Sequence, residues 1–489
     1  MRNLILCLIV LSVTTFSFAN HNTLSGRNDL IENGVFLQIP GPNPVISRGP
    51  EGSWDDQMLE ASDGFLDNGV YYFYYHGAGG GKSYRVGVAT ATHPLGPYTK
   101  YGDGPVLELG PDGSWEDRWV ACAYVIDTHK EGLDRFQMFY SGRGSGANRE
   151  LSGGQPGIGL ATAPHPLGPW TKFEGNPLLH GFGYVCAALH VNNQWYLYSA
   201  WPISGPDYRG DYSPLAVATA GDPKGPWTIY PGNPLMPAGE WGEWDDGGYS
   251  EFEIVFHNGV FHGFYGGTKD YGPRLEHIGY CYSYDGYKWL KYTRNPIASN
   301  WAEPNIAAYA EVHAHIEMPF IYLFHTMRPR WRGDTPVPAT EWHYDRDKRN
   351  PDAFAWIEDL GVQVIVTQIP FSLDYPVLNV SSIGAGSQTE LKDSPAIPLS
   401  HISKLALTTK ATFGEDATKG LVVHVRASYD GVHYDTKDLY TIDVAGRPGK
   451  TVQETEQLES NVRFIKVFVT NNDPEDAVTD LKITAHMGG

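Results

Sequence analysis

Cysteine is scarce in this chain of 489 residues: there are four, and Cys7 lies inside an apolar N-terminal run. The other three, Cys122, Cys186 and Cys281, are odd in number and widely spaced. That pattern excludes a disulfide framework and a cysteine-rich zinc site, and the thiols read as buried apolar side chains. Positive charge is also short. Lys and Arg total 36 against 56 Asp and Glu, for a formal net charge of −20 with no basic block. A nucleic-acid partner needs a positive surface, so that class is excluded. Helical periodicity is nearly absent. No apolar run beyond the N terminus is long enough to cross a membrane.

What the chain does have begins with "MRNLILCLIVLSVTTFSFAN". Arg2, the apolar run Leu4 to Phe18, and small residues at Ser17 and Ala19 read as a secretory signal over 1–19. The mature protein is therefore expected to be exported, to the periplasm or beyond the cell. Aromatic residues make up 13% of the chain, with 14 Trp and 30 Tyr. Sugars present flat C–H faces that stack on aromatic rings, so an exported, acidic, aromatic-rich chain suits a carbohydrate partner.

A repeat organises the first three quarters. "GVATATHPLGPYTKYGDGPVL" starts at Gly87, "GLATAPHPLGPWTKFEGNPLL" at Gly159, and "AVATAGDPKGPWTIYPGNPLM" at Ala216. A looser copy starts at Gly279, and an isolated tail, "GPNPVI", stands at Gly41. The copies are spaced roughly 60 to 70 residues apart, the length of one four-stranded sheet with its loops. Each tail is followed by a strand, a turn and an aromatic strand; Asn68-Gly69 and Asn258-Gly259 are hairpin turn signals. Five strand-rich units predict an all-β fold: a five-bladed β-propeller over 35–372, preceded by a segment 20–34. The isolated tail predicts that the N-terminal segment completes the last blade. Beyond it, the runs "KLALTTKATF", "GLVVHVRASYDG" and "VRFIKVFVTNND" predict a β-sandwich over 373–489, bracing the propeller or binding sugar.

The motif "G-x-W-[DE]-D" occurs at Gly52, Gly113 and Gly242. Its repetition reads as scaffold, with Trp packing and Asp closing a turn. It also marks where inner strands begin, and residues opening those strands converge on one axial pocket. There, blade four offers Glu251 and Glu253, and blade five offers Glu311 and His313 with His315. Blade one offers Glu60 and Asp63, with Asp56 in the entering loop. Residues two apart on a strand share a face, so Glu251 with Glu253, and Glu311 with His313, are expected to point together. Cleaving a glycosidic bond needs two carboxyl groups, one to protonate the leaving oxygen and one to activate water or attack the sugar. Glu251 is the expected acid. Glu60, Asp63 and Asp56 are alternatives for the base. Glu311, His313, Glu253, Trp119, Tyr184 and Tyr249 are expected to contact substrate. An axial ion such as calcium has a conceivable ligand in His313 with water, although the spacing shows no dedicated metal site.

With "ATAPHPLGPWTKFEGNPLL" and "YSEFEIVFHNGVFHGFYGG", the first three quarters of the chain resemble glycoside hydrolase family 43 and its relatives. The resemblance implies a five-bladed catalytic propeller, some members carrying a C-terminal β-sandwich. It implies that Glu251 is the general acid on the fourth inner strand and that His313 belongs to the axial site. The family base is an Asp on the first strand in an Ala-Asp-Pro setting. Here the strand reads "LEASDG", so Glu60, Asp63 and Asp56 stay open. A family Asp on the third strand tunes the acid; "YVCAAL" has no counterpart. The implied activity is inverting hydrolysis of plant or algal polysaccharides or oligosaccharides, without a redox cofactor. A β-xylosidase is the first expectation, and an α-L-arabinofuranosidase or a non-catalytic carbohydrate-binding propeller the alternatives.

Overall fold

The computed structural model describes residues 27–32, 34–129, 133, 135–201, 214–268, 277–303, 306–329, 331–332, 335–336 and 359–489. The signal-like run falls outside the described residues.

Four-stranded antiparallel sheets repeat five times around an axis. Blade one runs Met58–Asp67, Val70–Gly79, Lys82–Ala91 and Thr99–Lys100, from inside to outside. Blades two, three and four follow the same order from inner strands Trp119–Asp127, Tyr184–Val191 and Gly248–His257. Blade five has Ile306–Glu317 innermost, then Phe320–Pro329 and Asp359–Val366. Its outermost strand is Leu37–Pro40, taken from the N-terminal end of the chain. Each inner strand packs on the next, and the fifth packs on the first, so the ring is closed.

The repeated residues hold this ring. In the "G-x-W-[DE]-D" motif the Trp stacks on a second-strand Tyr: Trp54 on Tyr75, Trp115 on Tyr140, Trp244 on Tyr265, at centroid distances of 5.7, 6.0 and 5.6 Å. The first carboxylate is buried and pairs with a fourth-strand Lys. Asp55 meets Lys100 at 2.6 Å, Glu116 meets Lys172 at 3.1 Å, and Asp245 meets Lys291 at 2.8 Å. The second carboxylate accepts the N–H of the motif's own Gly: Asp56 from Gly52, Asp117 from Gly113, Asp246 from Gly242. Glycine opens the facing part of the third strand because the Trp ring lies on it. A Cβ at Gly87, Gly159 or Gly279 would come within 2.7, 3.0 or 2.8 Å of that ring.

The Asn-Pro tails are scaffold too. Asn176, Asn233 and Asn295 each accept the N–H and donate to the C=O of one third-strand residue: Leu160, Val217 and Tyr280. Asn43 does the same to Val362 in blade five, so the isolated tail docks as its sequence predicts.

A two-sheet sandwich follows. One sheet orders Ser372–Ile383, Val478–Gly488, Lys404–Phe413 and Thr451–Leu458. The other orders Ile397–Pro398, Phe464–Asn471, Leu421–Ser428 and Tyr440–Val444. Leu59, Phe73 and Phe324 of blades one and five share one buried cluster with Phe371, Leu373 and Tyr375. Removing this much apolar surface from water couples the sandwich to the propeller.

Candidate active site

Every inner strand carries a β-bulge near the same level. The ladder slips between Ala61 and Asp63, Ala121 and Tyr124, Val185 and Ala187, Tyr249 and Phe252, and Ala310 and His313. A bulge bends its strand and re-aims the side chains around it. Cys122 and Glu311 take φ of +50° and +45° in these bulges. That region costs a non-glycine residue on the order of 1 kcal/mol, which the surrounding packing must offset.

The bulge corrects the expectation that Glu251 and Glu253 point together. Glu251 stands within the bulge, and its Oε1 lies 3.3 Å from Cys122 Sγ of blade two. Burial first, then the Glu251 charge, push the Cys122 thiol well up, so it stays protonated and donates to that oxygen. Glu253 instead meets His313 Nδ1 at 2.9 Å, with both side chains almost fully buried. Burial, followed by the nearby Asp63 charge, raises the Glu253 pKa well above the carboxylate range. Burial and then His76 push His313 down to about 3. Burial thus favours the uncharged form of each partner. The pair is buried at the axis, Glu253 on blade four against His313 on blade five.

Blade one supplies a second carboxylate, less buried than Glu251. Glu60 is half-buried; its oxygens accept from His76 Nε2 at 2.7 Å and from Tyr84 Oη at 2.8 Å. Burial pushes its pKa up, but these donors and the Arg328 charge outweigh it and hold Glu60 below its ordinary value. His76 Nδ1 faces the Ser62 hydroxyl at 2.8 Å and the Cys122 backbone N–H at 3.4 Å. A backbone N–H can only donate, so Nδ1 accepts and the ring proton sits on Nε2, aimed at Glu60. Cys122 thus touches both carboxylate systems, one through its thiol and one through its amide.

The other two candidates for the base are held differently. Asp63 accepts the N–H of Gly64 at 2.8 Å and of Val125 at 2.9 Å, one on each oxygen, and so ties blade one to blade two. Burial raises its pKa to about 7 against the pull of those two bonds. Asp56 closes its own turn on Gly52. Of the three, Glu60 is the one whose oxygens accept from a histidine and a tyrosine side chain rather than from backbone amides.

Trp119 and Tyr184 open the inner strands of blades two and three and stack with centroids 6.1 Å apart and planes 5° apart. Tyr184 lies within electrostatic range of Arg143, Glu251 and Glu60, and burial raises its pKa. Tyr249 is buried and donates to the Pro237 carbonyl, so it serves packing rather than a sugar face. Glu311 lies 3.7 Å from Arg328 Nη2, at the level of the Glu60 site. His315 belongs elsewhere, 3.5 Å from Glu317.

Sequence reasoning missed Cys122, His76, Tyr84 and Arg328. His76 had one signal: it stands where blades two and three carry Ser141 and Ser199 in the aromatic strand. Among the described residues no group of three or more His, Cys, Asp or Glu is placed to hold a metal ion, and the Nδ1 of His313 is engaged by Glu253.

No family model matches the chain, and no curated protein matches it. Solved structures do. A family 117 glycoside hydrolase from the marine bacterium Zobellia galactanivorans is 14% identical, with 70% of this chain and 93% of that chain covered and a TM-score of 0.43. A family 43 arabinoxylan arabinofuranohydrolase from Bacillus subtilis is 15% identical, with 91% and 97% covered and a TM-score of 0.41. A family 32 β-fructofuranosidase from Bombyx mori is 11% identical, with 94% and 95% covered and a TM-score of 0.45. The structural neighbours are thus five-bladed β-propeller glycosidases.

Proposed function

We propose that this chain is an exported glycoside hydrolase acting on plant or algal polysaccharides or oligosaccharides. One observation carries the reading: carboxylates from blades one and four converge on Cys122, Glu251 through its thiol and Glu60 through His76 and its backbone amide. Hydrolysis needs one carboxyl ionised and one able to give a proton, and environments that differ this way assign the roles. Glu60, held ionised by His76, Tyr84 and Arg328, is the base that takes a proton from water or attacks the sugar. Glu251, buried in the bulge of blade four where desolvation favours the protonated form, is the acid that protonates the leaving oxygen. Trp119 and Tyr184 form the sugar-facing wall. Carboxylates alone suffice for this chemistry, without a cofactor. Export rests on the N-terminal run, and the first sugar expected is xylose, as a β-xyloside, with α-L-arabinofuranosides next.

A second reading, a propeller that binds glycans without cutting them, draws on blade three, which has Cys186-Ala187-Ala188 where blades one and four carry acids. Hydrolysis of an aryl-glycoside panel by the wild type and E251Q separates the two. Turnover of the aryl glycosides with the least acidic phenols falling sharply in E251Q supports the hydrolase. Glycan binding with no turnover in the wild type supports the binding propeller.

A further inference from the structure

Blade two gathers arginines in a chain whose net charge is −20. Arg118 precedes its inner strand, Arg143 ends its second strand, and Arg149 lies on the short 3-10 helix Gly146–Ser152 that follows. The backbones of the first two are adjacent: the Arg118 N–H donates to the Arg143 carbonyl at 3.1 Å. One carbonyl, that of Gly154, accepts from Arg143 Nη2 at 3.2 Å and from Arg149 Nε at 2.6 Å. Two like charges are thereby drawn together, at a Coulombic cost that the fold must meet.

Among the described residues no carboxylate relieves that cost. None of the three guanidiniums forms an ion pair with an acid among the described residues, and Arg143 Nε is buried without an acceptor. Asp117, the acid beside Arg118 in sequence, is turned to Gly113, Ser145 and Asn148. Burial, then the charges of Arg149 and Arg118, lower the Arg143 pKa. A protein with acids to spare has left this group uncompensated. The group is also not remote: Arg143 pairs with Trp119 across the ladder, and Trp119 stacks on Tyr184, which lies within electrostatic range of Glu60 and Glu251.

We propose that Arg118, Arg143 and Arg149 form an anion subsite beside the carboxylate pair, and that the glycan is acidic, carrying a carboxylate or a sulfate. A guanidinium presents a planar fork of N–H donors that matches either group. The Trp119–Tyr184 stack takes the apolar face of the ring while the arginines take its charge. This names the substrate class of the glycosidase reading and rests on that reading; the test measures binding, so the two can fail separately.

Calorimetry on full-length E251Q, whose turnover of an oligosaccharide falls about 10²- to 10⁴-fold if the acid assignment holds, compares three oligosaccharide probes. One bears a uronate, one is its carboxyl-reduced counterpart, and one is sulfated. A charge-assisted contact predicts that an acidic probe binds about tenfold or more tightly than the reduced one, with the preference shrinking as salt rises. R143Q removes the preference and leaves binding of the reduced probe. R118Q/R149Q, altering two exposed side chains, weakens the preference without the folding risk of the half-buried site. Preference for the uronate or for the sulfate identifies the source of the charge. Equal affinity for all three probes, or a preference that survives both variants, overturns the proposal.

Discussion

The thiol of Cys122 donates to Glu251 Oε1 across 3.3 Å, joining blade two to blade four at the axis. Through its backbone N–H the same residue faces His76 Nδ1, and His76 Nε2 holds Glu60. The carboxylates assigned to acid and base therefore share a neighbour whose positive φ aims both its polar groups.

Altering that thiol is expected to move the acid. C122A removes a donor that favours the ionised carboxylate, so the Glu251 pKa rises. The alkaline limb of kcat/KM moves up by about half a pH unit to one unit, the size of one ordinary hydrogen bond. C122S supplies a stronger donor and moves the limb down. A pH–rate profile of the three proteins checks the order.

His76 acts on the other limb. H76F deletes a donor to Glu60, whose pKa then rises from its lowered value. The acidic limb of kcat/KM shifts upward, and activity below the ordinary carboxylate range falls most. H76Q, which retains a donor, shifts less. The same profiles measure both.

Asp63 makes stability depend on pH. Its folded pKa is about 7 and its ordinary value 3.8, so between those values the folded chain holds the extra proton. Stability from this group is present below about pH 4 and is lost as pH rises towards 7, by on the order of a few kcal/mol. Glu253, raised for the same reason, adds in the same direction. Denaturant unfolding at several pH values checks the slope, and D63N flattens it whatever its absolute stability.

The repeated motif is expected to govern stability alone. D245N leaves the partly exposed Lys291 facing a neutral amide in place of a buried carboxylate, at a cost of about 1 to 3 kcal/mol. Unfolding shifts to lower temperature, while kcat measured well below the transition stays that of the wild type. A thermal scan paired with an assay at low temperature checks this.

The repeat made the blades legible because scaffold chemistry recurs. The Trp that lies on Gly159, and the Asn176 that clamps Leu160, leave the same marks in each copy. Glu251 was legible as an acid opening an inner strand. Its relation to Glu253 was not, because strand alternation places both on one face and the bulge between Tyr249 and Phe252 breaks the alternation. Cys122 escaped for another reason. It is buried, as an apolar thiol would be, but its decisive contact lies 129 residues away on another blade. Nothing local marks it. The base stayed open among Glu60, Asp63 and Asp56 until their partners separated them, two backbone amides for Asp63 and its own turn for Asp56.

The central claim, that Glu251 gives a proton to the leaving oxygen, is tested most directly by how hydrolysis depends on the leaving group. A poor leaving group needs that proton and a strongly acidic phenol does not. Rates for wild type and E251Q are measured on aryl glycosides of graded phenol acidity, using the sugar the wild type cleaves best. The account predicts that E251Q loses about 10²- to 10⁴-fold on the least acidic phenols and little on the most acidic. An equal loss across the series, or none at all, would contradict it.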